Sequence, residues 1–126
     1  MAQVNIPEGY QSVIPYLIVK DASSFISFTK EVFDAEEINR HMRDEQIIMH
    51  AELRVYDSII MLAEATDTYS IQNSGMFIYV PDADEAYHKG IRAGATPITP
   101  MSDQNYGRTG GIKDPFGNTW WVTSVK

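Results

Sequence analysis

The sequence predicts an α+β fold made of two similar βαβββ halves. Three observations carry that expectation. First, Val19-Lys20-Asp21-Ala22 and Val80-Pro81-Asp82-Ala83 occupy equivalent places, and a shift of 61 residues sets Asp21 on Asp82. Second, the same shift lays Tyr56-Asp57-Ser58-Ile59-Ile60 over Gly117-Asn118-Thr119-Trp120-Trp121. Third, each half reads in one order: a strand, an acidic cap, a helix, then three strands. An internal repeat constrains the whole architecture, so it outranks any single residue.

In the first half, Ser12 to Val19 is β-branched and aromatic, as strands prefer. Pro15 interrupts it and places it at an edge or a bulge, because proline cannot donate to a ladder. Asp21 sits where a helix N-cap belongs. Phe25, Phe28, Val32 and Phe33 follow at helical spacing, which predicts one buried face. Asp34 is expected to end the helix, since Asp tolerates the left-handed conformation. Glu37 to Arg43 reads as a strand, followed by a turn at Asp44-Glu45 and a strand over Ile47 to Tyr56. There Ala51, Leu53 and Val55 alternate with His50, Glu52 and Arg54, so one face packs and the other is polar. Ile59 to Ala63 is apolar on both faces and reads as a central strand.

In the second half, Met76 to Val80 is a strand and Asp82 with Glu85 resembles a capping box. Ala83, Ala86, Tyr87 and Ile91 form the helical stripe, and Gly94 terminates it. Strands are expected at Thr96 to Thr99, Tyr106 to Lys113 and Thr119 to Val125, with a tight turn at Asp114-Pro115-Phe116-Gly117. Glu64 to Ser74 and Pro100 to Asn105 read as loops.

A chain of 126 residues suits one domain, here 1–126, assembled from modules at about 10–65 and 74–126. There is no cysteine, which excludes disulfides, thiolate nucleophiles and cysteine metal sites. No apolar run approaches a membrane span and the N-terminus has no signal-peptide pattern, so no membrane partner and a cytoplasmic protein are expected. The net charge of −7 and pI near 4.8 argue against nucleic acid, which needs a basic stripe.

The two βαβββ halves, with Tyr106-Gly107-Arg108, Asp114-Pro115-Phe116-Gly117-Asn118 and Trp120, resemble the vicinal oxygen chelate superfamily. That superfamily includes glyoxalase I, bleomycin-resistance proteins, fosfomycin-resistance enzymes and extradiol dioxygenases. Pro15-Tyr16-Leu17 and His50-Ala51-Glu52-Leu53 resemble its PhnB-like branch. The resemblance spans Val13 to Ser124. It implies curved mixed sheets around a cavity, helices on the outer face, and a homodimer that completes or shares the cavity. It places His50, Glu52 and Arg54 towards the cavity and Ala51, Leu53 and Val55 beneath the helix.

The resemblance also implies a divalent metal held by His, Glu or Gln on symmetric strands. Carried over, those positions fall at Ile14, at Gly75 or Met76, at Trp121 and in the strand of Glu52. Three of the four cannot bind a metal. His50 and Glu52 share a strand face and could form only a partial site, so no cofactor is expected, with a metal on His50 and Glu52 as the alternative.

His41 and His88 read as structural or solvated. No serine lies in a nucleophile elbow. Gly107-Arg108-Thr109-Gly110-Gly111 lacks the spacing of a phosphate loop, and its glycines suit a bulge or a close backbone approach. Tyr106 and Arg108 are placed at the cavity mouth, where the guanidinium would fork onto an anion or neutralise Glu52 or Asp114. Of the adjacent tryptophans only one can face the cavity. Trp121 is expected as a stacking wall and Trp120 as core. The expected function is metal-independent binding or sequestration of a small molecule, as in antibiotic resistance, by Tyr16, His50, Glu52, Arg54, Tyr106, Arg108 and Trp121. The alternative is a divalent-metal lyase, isomerase or dioxygenase using His50 and Glu52, and a third reading is a dimer without a ligand.

Overall fold

The computed structural model describes residues 2–125. Met1 and Lys126, which the expected domain span includes, lie outside the described residues. The elements are β1 (Tyr16–Val19), α1 (Ala22–Phe33), β2 (Glu36–Met42), β3 (Ile48–Val55), β4 (Ser58–Glu64), β5 (Gly75–Tyr79), α2 (Ala83–Arg92), β6 (Thr96–Gln104), β7 (Gly107–Lys113) and β8 (Thr119–Ser124). They form two four-stranded mixed sheets of identical topology, β1-β4-β3-β2 and β5-β8-β7-β6. In each sheet the first strand runs parallel to the last and the other pairings are antiparallel.

The helix ends follow local chemistry. Asp21 caps α1, its carboxylate accepting from the Ser24 amide and hydroxyl. Asp21 itself sits at φ 63°, and the Glu64 carboxylate accepts from the amides of Asp21 and Ala22 at 2.8 and 2.9 Å. Asp34 closes the helix in the left-handed region at φ 56°. Asp82 caps α2 through the Glu85 amide at 3.1 Å. The Glu85 carboxylate turns away to Lys89, so only half of a capping box is present.

Pro15 precedes β1, which begins at Tyr16 and lies at the edge of its sheet. β4 is central, and Ile59 and Leu62 are fully buried. The expected loop from Pro100 to Asn105 is strand as far as Gln104, where β6 ends, and turn at Asn105. Two register shifts in β6 absorb the irregularity, and β6 is an edge strand, where a proline without an amide hydrogen is tolerated.

Each helix packs on the strands of its own half. The two helix-side faces then meet in one core. Leu17, Val19, Ala51, Leu53 and Leu62 of the first sheet share it with Ile112, Trp120 and Val122 of the second. The Phe33 ring lies 4.6 Å from that of Trp120, and Phe25 and Phe28 pack edge-on against Phe116. The opposite face of each sheet therefore points away from the shared core. These are the open faces.

Candidate functional site

On the open face of the first sheet, period-two alternation sets His50, Glu52 and Arg54 side by side along β3. The register places Tyr16 opposite Met61, Met61 opposite Glu52, and Glu52 opposite Asn39. Glu52 is the hub, at 8% exposed. Its Oε1 accepts from the Tyr10 hydroxyl and from Asn39 Nδ2 (2.9 Å), and Oε2 lies 2.8 Å from His50 Nε2. The Tyr16 hydroxyl lies 3.0 Å from His50 Nδ1. The hydrogen bonds from His50 and then Tyr10 hold the Glu52 carboxyl below its usual range, against the effect of burial. The same bond to Glu52 raises the Tyr10 phenol, since a phenolate would face a carboxylate.

The N-terminal segment crosses this face. Gln11 exchanges two hydrogen bonds with the Ile59 backbone at 2.7 and 3.1 Å, and Arg54 Nη1 donates to the Gly9 carbonyl at 3.4 Å. Tyr10 and Asn39 belong to the cluster although sequence reasoning missed them. For Asn39 the signal was its alternation with the apolar positions of β2; for Tyr10, in an irregular segment, there was none.

The open face of the second sheet is aromatic. Phe77 and Tyr79 of β5, Trp121 of β8 and Tyr106 beside β7 are 50%, 58%, 38% and 50% exposed. Phe77 lies 5.4 Å from Tyr79 and 6.0 Å from Tyr106, ring to ring. Trp120 is core at 2% exposed. Phe77 stands opposite Trp121 as Tyr16 stands opposite Met61, and Gly111 stands opposite Trp121 as Glu52 stands opposite Met61. The register thus equates Tyr16 with Phe77, Met61 with Trp121 and Glu52 with Gly111. The single shift of 61 residues read from the sequence therefore does not hold through β3 and β4, because the β7–β8 turn is longer than the β3–β4 turn. A Cβ on Gly111 would meet the Trp121 indole at 3.1 Å, so the indole fills the space a side chain would need. Phe77 and Tyr79 were missed as well, because Met76 to Val80 is apolar throughout and its pattern does not say which side faces outward.

Six of the seven candidates therefore lie on open faces, in two groups: Tyr16, His50, Glu52 and Arg54 on one sheet, Tyr106 and Trp121 on the other. Arg108 lies elsewhere. It projects towards α2, where its guanidinium donates to both Asp84 oxygens at 3.1 Å and approaches Asp103 at 3.6 Å. The pairing holds the Asp84 carboxyl below its ordinary value. The reason is parity: Gly110, two residues on, faces Tyr87 of α2, so Arg108 shares the helix side. His88 is exposed with Nδ1 on the Asp84 carbonyl, and His41 is exposed 6.1 Å from the His50 ring.

A cleft of about 450 Å³ runs along the seam of the halves, lined by Val13, Pro15, Ile60, Met76, Phe77 and Trp120 among others. It contains none of the seven candidates and converges no charged pair. The open faces carry the chemistry.

The donors do not fit the divalent metal that the resemblance implies. Both Glu52 oxygens already have partners, and Ile14, Met76 and Trp121 offer no ligand atom suited to a hard cation. Among the described residues no group of three or more His, Cys, Asp or Glu is placed to hold a metal ion. No helix among them is long and apolar enough to cross a membrane.

The sequence profile of the glyoxalase/bleomycin resistance protein/dioxygenase superfamily matches residues 10–122. This chain belongs to that superfamily. An uncharacterized protein of Mycobacterium bovis is 33% identical over 118 residues, covering 84% of this chain and 78% of its own. An uncharacterized protein of Mycobacterium tuberculosis is also 33% identical, covering 84% and 69%. Among solved structures of the superfamily's fold, TioX from Micromonospora sp. ML1 matches with a TM-score of 0.75 at 21% identity, over 92% of this chain and 99% of that one. The PhnB protein from Bacillus cereus matches with a TM-score of 0.73 at 16% identity, over 91% and 100%. The fosfomycin resistance protein FosX from Listeria monocytogenes matches with a TM-score of 0.66 at 18% identity, over 92% and 93%. At these identities the likeness is one of fold, and the superfamily's chemistry is too varied for fold to choose among its activities.

Proposed function

We propose that this protein binds a planar or cationic small molecule without a metal, in a cavity completed by a homodimer. The observation that carries the reading is the aromatic open face of Phe77, Tyr79, Tyr106 and Trp121, which no part of the hydrophobic core uses. Contiguous exposed aromatic surface marks binding, and stacking or cation–π attraction selects flat or cationic ligands. Both helix-side faces are spent on the shared core, so the aromatic and polar faces of one chain cannot close on each other. A two-fold axis would set the aromatic face of one protomer against the polar face of its partner, twice. Tyr16, His50, Glu52 and Arg54 then wall the cavity opposite the partner subunit's Trp121. Arg108 is left to hold α2 on its sheet. A cytoplasmic sequestering role, as in resistance to a toxic compound, suits this design.

Light scattering after gel filtration measures the mass, with a dimer expected. Trp121 is the exposed tryptophan, so a panel of planar cations should quench fluorescence in the wild type, and Trp121→Ala should abolish the quenching and weaken binding, followed by calorimetry, by about 1–2 kcal/mol. A monomer with no quenching at any concentration overturns the reading. So does a stoichiometric metal in protein purified without chelator, which would favour a metal enzyme using His50 and Glu52.

A further inference from the structure

Tyr16, His50 and Glu52 form a directed chain of hydrogen bonds that ligand binding by itself does not require. Glu52 takes bonds from Tyr10, Asn39 and His50, and an ionised carboxylate only accepts. In the neutral tautomer that serves Glu52, His50 Nε2 carries the hydrogen. That tautomer leaves Nδ1, 3.0 Å from the Tyr16 oxygen, as a lone pair able to accept from the Tyr16 hydroxyl. The order is phenol, imidazole, carboxylate: an oxygen nucleophile, a base within reach of its proton, and a third group that fixes the base.

The fold does not demand this arrangement. The second half builds the same sheet with Phe77 in the place of Tyr16 and Gly111 in the place of Glu52. Tyr10 and Asn39 add bonds that fix the Glu52 carboxylate, and Tyr16 is 47% exposed, so the reacting oxygen end of the chain is reachable.

We infer that Tyr16 is a nucleophilic phenol, served by His50 and Glu52, that accepts the acyl group of an activated ester. In the step, the Tyr16 oxygen forms a bond to the acyl carbon while the bond from that carbon to the leaving oxygen breaks. The leaving oxygen departs with the bonding pair. The phenolic proton passes to His50 Nδ1, and Glu52 stabilises the imidazolium through Nε2. His50 then returns the proton to the leaving group or to solvent. This chemistry uses three residues that the ligand-binding reading also places in the cavity wall, but it needs neither a dimer nor the aromatic face.

The test uses the full chain and p-nitrophenyl acetate, with nitrophenolate release followed by absorbance and the acetyl group located by peptide mass spectrometry. Tyr69, 59% exposed against 47% for Tyr16, is not used by the ligand-binding reading and serves as the internal reference. Tyr16 is expected to acetylate about a hundredfold faster than Tyr69, the lower end of what a positioned base supplies. His50→Gln keeps a polar partner for the hydroxyl but cannot take its proton, and should bring Tyr16 to the reference rate while Tyr69 is unchanged. Tyr16→Phe should remove the fast phase of nitrophenolate release. A Tyr16 rate within about tenfold of that of Tyr69 in the wild type overturns the inference, and that comparison needs no variant to fold. An undiminished Tyr16 rate in folded His50→Gln overturns it as well.

Discussion

Glu52 carries the polar face because it is nearly buried and its oxygens meet three donors. Its carboxyl is held below its ordinary value, so the ionised form stabilises the fold. That contribution is complete above the unfolded glutamate value of about 4.3 and is lost as pH falls through the lower folded value. Glu37, Asp44 and Asp84 are shifted the same way by Arg40, by backbone amides and by Arg108, so acid weakens the fold at several places. Comparing wild type with Glu52→Gln isolates one of them. At pH 7 the variant should lose about 2 kcal/mol, because an amide nitrogen would face a donor. Its melting temperature should then fall less steeply than that of the wild type from pH 5 downwards. Parallel melting curves across that range would show that Glu52 contributes no linkage. The pair at β3 was legible in the sequence from alternation alone. Its saturation by Tyr10, 42 residues away, was not.

At the scale of elements, the turn between β7 and β8 shows how one side chain sets a hairpin. Asp114 is 4% exposed; its Oδ1 accepts from the amides of Phe116 and Asn118 and its Oδ2 from the Trp120 indole, each at 2.9 Å. It therefore shapes the turn and fixes the tryptophan that β8 sends into the core. Asp114→Ala would strand three donors, the indole among them in an apolar interior. The expected loss is about 3 kcal/mol or more, read as a lower urea midpoint at unchanged slope. The tight turn was legible from Pro115 and Gly117, but its tie to Trp120 was not. β6 shows the opposite case, since Pro100 and Ser102-Asp103-Gln104 have loop composition. Their strand geometry comes from pairing with β7 across two register shifts, an edge contact that composition does not encode.

For the whole molecule, the aromatic contacts between halves are the decisive packing. Phe33 on α1 against Trp120 on β8, and Phe25 and Phe28 against Phe116, tie the first helix to the second sheet. A double-mutant cycle of Phe33→Leu and Trp120→Phe should give a coupling energy of about 0.5–1.5 kcal/mol. Additive single effects would show that the halves are joined elsewhere. This seam is also what turns both open faces outward, so it underlies the dimer reading as much as stability.

The caps, the helical stripes and the alternating faces of β3 were determined by the sequence itself. Each is a local matter of residue type, periodicity or spacing, and an internal repeat aligned them. Alternation says that a strand has two faces; it does not say what comes to lie on each. Only the tertiary structure decided that the helix sides of both sheets share one core, that Arg108 belongs to α2 through Asp84, and that Tyr10 and Asn39 converge with His50 on Glu52 while Tyr16 reaches His50. Those contacts join residues far apart in the chain, and their free energy appears only once the sheets have assembled.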